Sequence, residues 1–115
     1  MNQYQSKMEG KEMDFLCEAF MSIETKEECY RFFDDICTIT EIKALEQRLH
    51  VAKMLKEKKT YLEIAAETGA STATISRVNR CLNYGSDGYQ IILGRLEEKE
   101  KKNEKKKEKE KNSEE

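Results

Sequence analysis

Between Tyr61 and Arg80 runs the stretch YLEIAAETGASTATISRVNR, a short apolar-periodic run that breaks at Gly69-Ala70 and resumes after Ser71. This spacing leaves few folds open. Ile64 and Ala65 fall on the inner face of a first short helix, and Ala65 is small enough for a second backbone to cross close by. Gly69 stands four residues further on, where a sharp turn needs a left-handed backbone that glycine adopts without strain. Ala70 fills the corner. Ser71 is a good N-cap, and Ile75, Val78 and Leu82 give the second helix an apolar stripe at spacings of three and four. The pattern predicts a helix-turn-helix over residues 60–82, with its second helix at Ser71–Leu82.

The inward positions fix the outward ones, because each helical residue advances by about 100°. Ala73, Ser76, Arg77 and Arg80 point away from the core, with Thr72 and Asn83 at the flanks. Small residues at the start would let the helix sit deep in a DNA major groove, where the methyl groups of Thr72 and Ala73 meet thymine methyls. Ser76 suits a base or a phosphate, and Arg80 a guanine or the backbone. The backbone amides of Ser71 to Thr74 suit a phosphate at the helix start.

The rest of the chain reads as helical as well. It contains no proline, and its apolar residues recur at helical spacing. Phe15, Leu16, Ala19, Phe20 and Ile23 predict a first helix from about Lys11 to Ser22. Thr25 opens the capping box TKEE, in which the Thr25 hydroxyl and the Glu28 carboxylate satisfy each other's amides, and a second helix follows to about Cys37. Thr38 opens another box, TITE, ending on Glu41. The third helix then runs to about Glu57, with Ile42, Leu45, Leu49 and Ala52 as its stripe. Asn83 to Tyr89, NYGSDGY, has the composition of a loop, and a last helix starts near Tyr89. The expectation is an all-α fold of about six helices, with a helical domain over 11–96 and a tail over 97–115. That tail has eight Lys, eight Glu and no apolar residue, so it is solvated and partly helical or disordered. Glu97 with Lys101, and Glu98 with Lys102, are at pairing distance along it.

The formal net charge of −2 conceals an asymmetry. Residues 1–40 carry four basic against nine acidic side chains, while residues 41–82 carry eight basic against five acidic. The basic excess thus lies around the helix-turn-helix, as a phosphate-facing surface requires. Cys17, Cys29, Cys37 and Cys81 follow no zinc or redox spacing, so they are expected as reduced, mostly buried thiols, and no metal site is expected. No apolar run is long enough for a membrane span. The stretch MNQYQSKMEGKEMDF lacks the apolar region of a signal peptide. A cytoplasmic address is therefore expected.

From Thr38 to Asn83 the chain resembles the Trp repressor superfamily. The longer stretch from Glu27 to Gly85, and TGASTATISRVNRCLNYG above all, is similar to its YerC/YecD branch. The resemblance implies an intertwined all-helical homodimer whose two reading heads enter successive major grooves of double-stranded DNA. It places Tyr61 and Leu62 near phosphate, with Tyr61 standing where the family has a polar amide. Thr72, Ala73, Thr74 and Ser76 fall at operator-reading positions. Family repressors sandwich tryptophan between two arginines, and the matching positions here are Lys56 and Arg77. Lysine lacks the flat guanidinium that stacks on a ring, and Val78 replaces a glycine that leaves room for the indole. Lys56, in a last helical turn, is expected to reach toward water. Tryptophan is accordingly not expected as corepressor; the effector is another small ligand or none.

The residues thus point to a sequence-specific DNA-binding transcriptional regulator, a repressor by family analogy. The alternative is an adaptor whose helix-turn-helix contacts another protein. An enzyme is not expected: the pairs Glu27/Glu28 and Asp34/Asp35 are helix neighbours that diverge, and His50 lies on a polar helix face without a nucleophile suggested beside it.

Overall fold

The computed structural model describes residues 4–113, so Met1 to Gln3 of the N-terminal stretch and the last two residues of the charged tail lie outside it. Six α-helices follow in order: α1 (Lys11–Met21), α2 (Lys26–Ile36), α3 (Ile39–Lys56), α4 (Tyr61–Thr68), α5 (Thr72–Tyr84) and α6 (Gly88–Ser113), with no strand among the described residues. The fold is all-α. The chain divides into two units, one ending at Ile42 and the other starting at Lys43.

In the first unit the helix starts are set as the sequence dictates, with one adjustment. The Glu41 amide donates to the Thr38 hydroxyl (3.1 Å) and the Thr38 amide to the Glu41 carboxylate (2.8 Å), a complete capping box. At Thr25 only half the box forms: the Glu28 amide donates to the Thr25 hydroxyl, but the Glu28 carboxylate takes the amide of Glu24, one residue earlier. Phe20 meets Phe32 edge-on at 5.3 Å and Phe33 at 5.7 Å between ring centroids. Neither α1 nor α2 buries a residue fully. Phe15, read from the sequence as part of the inward stripe, is 74% exposed, and the half-buried face of α1 is Met13, Leu16 and Ala19.

The second unit has a closed core. Val51, Ala52 and Met54 of α3, Ile64 of α4, Ala70 of the turn, Ile75 and Val78 of α5, and Leu93 of α6 form one buried cluster. The expected α3 stripe needs correction: Ala52 is buried, but Leu45 and Leu49 are 46% and 41% exposed, and Val51 and Met54 take their place in the core. The helix is therefore apolar on two sides, one facing its own chain and one uncovered. It ends without glycine. Lys58 takes a left-handed backbone (φ 63°), its amide donates to the Leu55 carbonyl, and the Lys59 amide reaches the Met54 carbonyl. This is the two-bond closure that satisfies the last carbonyls of a helix.

The thiols are less buried than expected. Cys17 and Cys81 are exposed, Cys29 and Cys37 half-buried, and all four are free. No described helix is long and apolar enough to cross a membrane.

Candidate nucleic-acid interface

The turn between α4 and α5 is built as its residue types require. Gly69 closes α4 in the left-handed region (φ 72°) and its amide donates to the Ala65 carbonyl at 2.9 Å. Thr68 adds a polar brace: its hydroxyl donates to the Ile64 carbonyl (2.7 Å) and accepts from the Ala70 amide (3.2 Å). From α3, the Gln47 side-chain amide donates to the Thr68 carbonyl at 3.1 Å, tying the turn to the preceding helix. Ala70 is buried in the corner as expected. At the other end of α4, Thr60 and Glu63 form a complete capping box. The sequence reading missed this box, although TYLE carries its spacing.

α5 presents its two faces as the periodicity predicts. Ile75, Val78 and Leu82 are buried, while Thr72, Ala73, Ser76, Arg77 and Arg80 are exposed. The helix contains no acidic residue, and neither arginine has a carboxylate partner among the described residues.

Three other expected contact residues are already engaged. The Ser71 hydroxyl accepts from the Thr74 amide and donates to the Thr74 hydroxyl, each at 3.1 Å. The cap thus takes the Thr74 amide and leaves those of Thr72 and Ala73 as the unpaired donors of the first turn. Asn83 turns its side-chain amide back to the Asn79 carbonyl (2.9 Å) and side-chain oxygen (3.0 Å). Tyr61, at the start of α4, is 38% exposed, beside Leu62 at 85%.

The C-terminal boundary differs from the expected one. Asn83 and Tyr84 belong to α5, and the loop is only residues 85–87, with Gly88 already in α6. Gly85 ends the helix because its backbone lies against the preceding turn: a Cβ there would stand 2.3 Å from the Cys81 carbonyl oxygen. The Gln90 side chain then donates to the Leu82 carbonyl at 3.1 Å, binding α6 to the end of α5.

Lys56 is the other corrected position. Its side chain is only 21% exposed, and its ammonium lies 3.5 Å from the Glu97 carboxylate rather than in open water. Glu97 therefore pairs across to α3 and not along its own helix with Lys101. Val78, at 2% exposure, fills its place within the core. His50 faces Glu67 at 3.7 Å, both largely exposed.

Comparison with known proteins agrees with this geometry. The Trp repressor protein family matches residues 11–97. The Bacillus subtilis (strain 168) protein YerC, itself uncharacterized, is 61% identical over 94 residues, which are 82% of this chain and 90% of YerC. The crystal structure of a candidate Trp repressor from Staphylococcus aureus superposes with a TM-score of 0.76 at 54% identity, covering 79% of this chain and 91% of that one. A TrpR-like protein from Eubacterium eligens ATCC 27750 gives 0.75 at 56% identity, covering 78% and 93% respectively.

Proposed function

Because this chain belongs to the Trp repressor family, we propose that it is a sequence-specific DNA-binding regulator of transcription, a repressor that occupies its operator as a homodimer. The observation that carries this reading is the outward face of α5. It is exposed, free of acid, small at its start and cationic further along, with both guanidiniums unpaired among the described residues. In a major groove, Thr72 and Ala73 offer methyl groups to thymine, Ser76 and Arg80 offer donors to base edges, and Arg77 reaches phosphate. The Thr72 and Ala73 amides hold a phosphate at the positive end of the helix. Tyr61 approaches the backbone from α4. Ser71, Thr74 and Asn83 act chiefly by fixing the helix, since their side chains are spent within the chain.

Uncovered apolar surface supports the dimer. Leu45 and Leu49 of α3, with Ile91, Ile92 and Leu96 of α6, are each 41–49% exposed, apolar surface whose removal from water would favour association. A second copy with the same faces covers them symmetrically.

Tryptophan is not the effector in this reading. The Val78 side chain stands where family repressors keep a glycine, and it is packed into the core. Lys56, opposite Arg77 in the family's arrangement, already has Glu97 as its partner.

The test is selection from a random duplex library by the purified protein at low and moderate salt, with and without L-tryptophan. The expected result is an enriched palindrome whose binding falls steeply with salt, is lost on Arg80→Ala, and ignores tryptophan. No enrichment at either salt, with Arg80→Ala changing nothing, would favour an adaptor that docks another protein.

A further inference from the structure

The segment from Glu97 onward carries equal numbers of Lys and Glu, but winding it as a helix separates them. α6 continues to Ser113, and every residue from Arg95 to Ser113 is exposed. At about 100° per residue, Lys99, Lys102, Lys106 and Lys109 share one side. Lys101 and Lys105 lie in the adjoining row, and Glu98 is the one acid among these six lysines. The opposite side carries Glu100, Glu104 and Glu108, with Lys107 and Lys111 as its only cations, and Glu110 borders the lysine side next to Lys99. A helix built to stand alone alternates sign at four-residue spacing. Here Lys101–Lys105–Lys109 and Glu100–Glu104–Glu108 put like charges four apart, against the opposite pairs Glu98–Lys102 and Lys106–Glu110. No ion pair among the described residues relieves them. The arrangement opposes an isolated helix and suits one whose lysine side meets a dense anion.

We propose that the lysine side of this extension lies along the phosphate backbone of duplex DNA beside the site read by α5. The proposal rests on the DNA-binding reading above and adds a second surface outside the matched 11–97 region. Lys99 to Lys109 span about 15 Å of helix, and each DNA strand presents one phosphate per about 3.4 Å of axis. The stripe therefore covers a short run of phosphates. Its root is fixed to the reading helix, through the Gln90 bond to the Leu82 carbonyl, and to α3 through Glu97 and Lys56. The glutamate side faces away and cancels the net charge, so the extension favours DNA by contact rather than by long-range attraction. The acidic side of a second copy is the weaker occupant, because the two surfaces offer no apolar seam and a lower charge density than a duplex.

The experiment uses the full chain and a random-sequence duplex titrated over a salt series. Two double variants lose the same charge from opposite sides: Lys102→Gln with Lys106→Gln, and Lys107→Gln with Lys111→Gln. The first should lower the slope of log affinity against log salt by about 1 to 2, and the second should leave it unchanged. Equal losses in both would reduce the effect to bulk charge and overturn the proposal, as would no change in either while the unsubstituted protein binds. Weaker self-association of the Lys102/Lys106 variant with an unchanged slope would assign the surface to a second copy. Absence of binding by the unsubstituted protein at every salt would remove the DNA-binding reading and this proposal together.

Discussion

The segment ending at Ile42 and the segment beginning at Lys43 are both helical, yet they treat their apolar side chains differently. From Lys43 on, nine apolar residues are buried, and Ile64 and Ile75 have no exposed surface at all. Up to Ile42 no described side chain is fully buried, and Phe15, Met21 and Tyr30 are 74%, 84% and 68% exposed. The first unit has the periodicity of a core without enough chain to complete one. What separates the regions is closure: α4 and α5 bury apolar side chains in one cluster with α3 and α6, whereas α1 and α2 bury no residue fully. The proposed role needs the outward face of α5 held in one shape, and the buried cluster beneath it provides that.

The largest test of this contrast is in the core. Ile75→Ala should destabilise the protein by about 3 kcal/mol, through lost burial and the cavity left behind, as read by urea unfolding. Phe15→Ala should cost under about 0.5 kcal/mol at low protein concentration, and more as concentration rises if a second copy covers that ring. An equal cost for both at low concentration would break the comparison. At the turn, Gly69→Ala should cost about 1 to 2 kcal/mol, because the left-handed backbone is unfavourable for a side chain and no neighbour lies within 4 Å of the new Cβ. The effect is purely conformational, so thermal unfolding should fall with no change in the contacts of α5. Ser71→Ala, which removes the cap of α5, should cost about 1 kcal/mol. It should also raise amide exchange in the first turn of that helix.

The smallest effect sharpens the first unit's side of the comparison. The hydrogen bonds from the Thr38 amide, and then from its hydroxyl, hold the Glu41 carboxyl below its ordinary value of 4.5. A carboxylate whose folded-state pKa is depressed contributes its stability above the unfolded-state value and loses it as the pH falls through the folded one. Unfolding measured from neutral pH down through 4.5 should therefore show a small acid-side loss that Glu41→Gln removes. An unchanged acid limb in that variant would mean that the box does not persist in solution.

The helix-turn-helix was legible in the sequence because it is local. Gly69, Ser71, Ile75, Val78 and Leu82 are fixed by spacings of three and four along one or two turns, and the structure puts each where that spacing demands. The α3 stripe was not legible, because Leu45 and Val51 are equally apolar. Only the tertiary position of α4 and α5 decides which of them is covered. The length of NYGSDGY misled for a related reason: Asn83 bonds back to Asn79, and Gln90 caps Leu82, so two long-range or backward hydrogen bonds extend helix into a stretch of loop-forming residues. The tail is exposed and helical to Ser113, and its composition alone does not show the faces that winding separates. The pairing of Lys56 with Glu97 joins residues forty-one positions apart, beyond the reach of any periodicity.

The four free thiols divide between the regions: Cys17, Cys29 and Cys37 precede Lys43, and Cys81 lies on α5 directly after Arg80. The chain thus carries its own pair of clocks. Alkylation of half-buried Cys29 and Cys37 speeds up as the N-terminal helices loosen and expose them further. Exposed Cys81 needs no such opening, and under the proposed function its labelling rate instead times the occupancy of the neighbouring face of α5. Mass spectrometry of one labelled sample would follow both events in the unaltered protein.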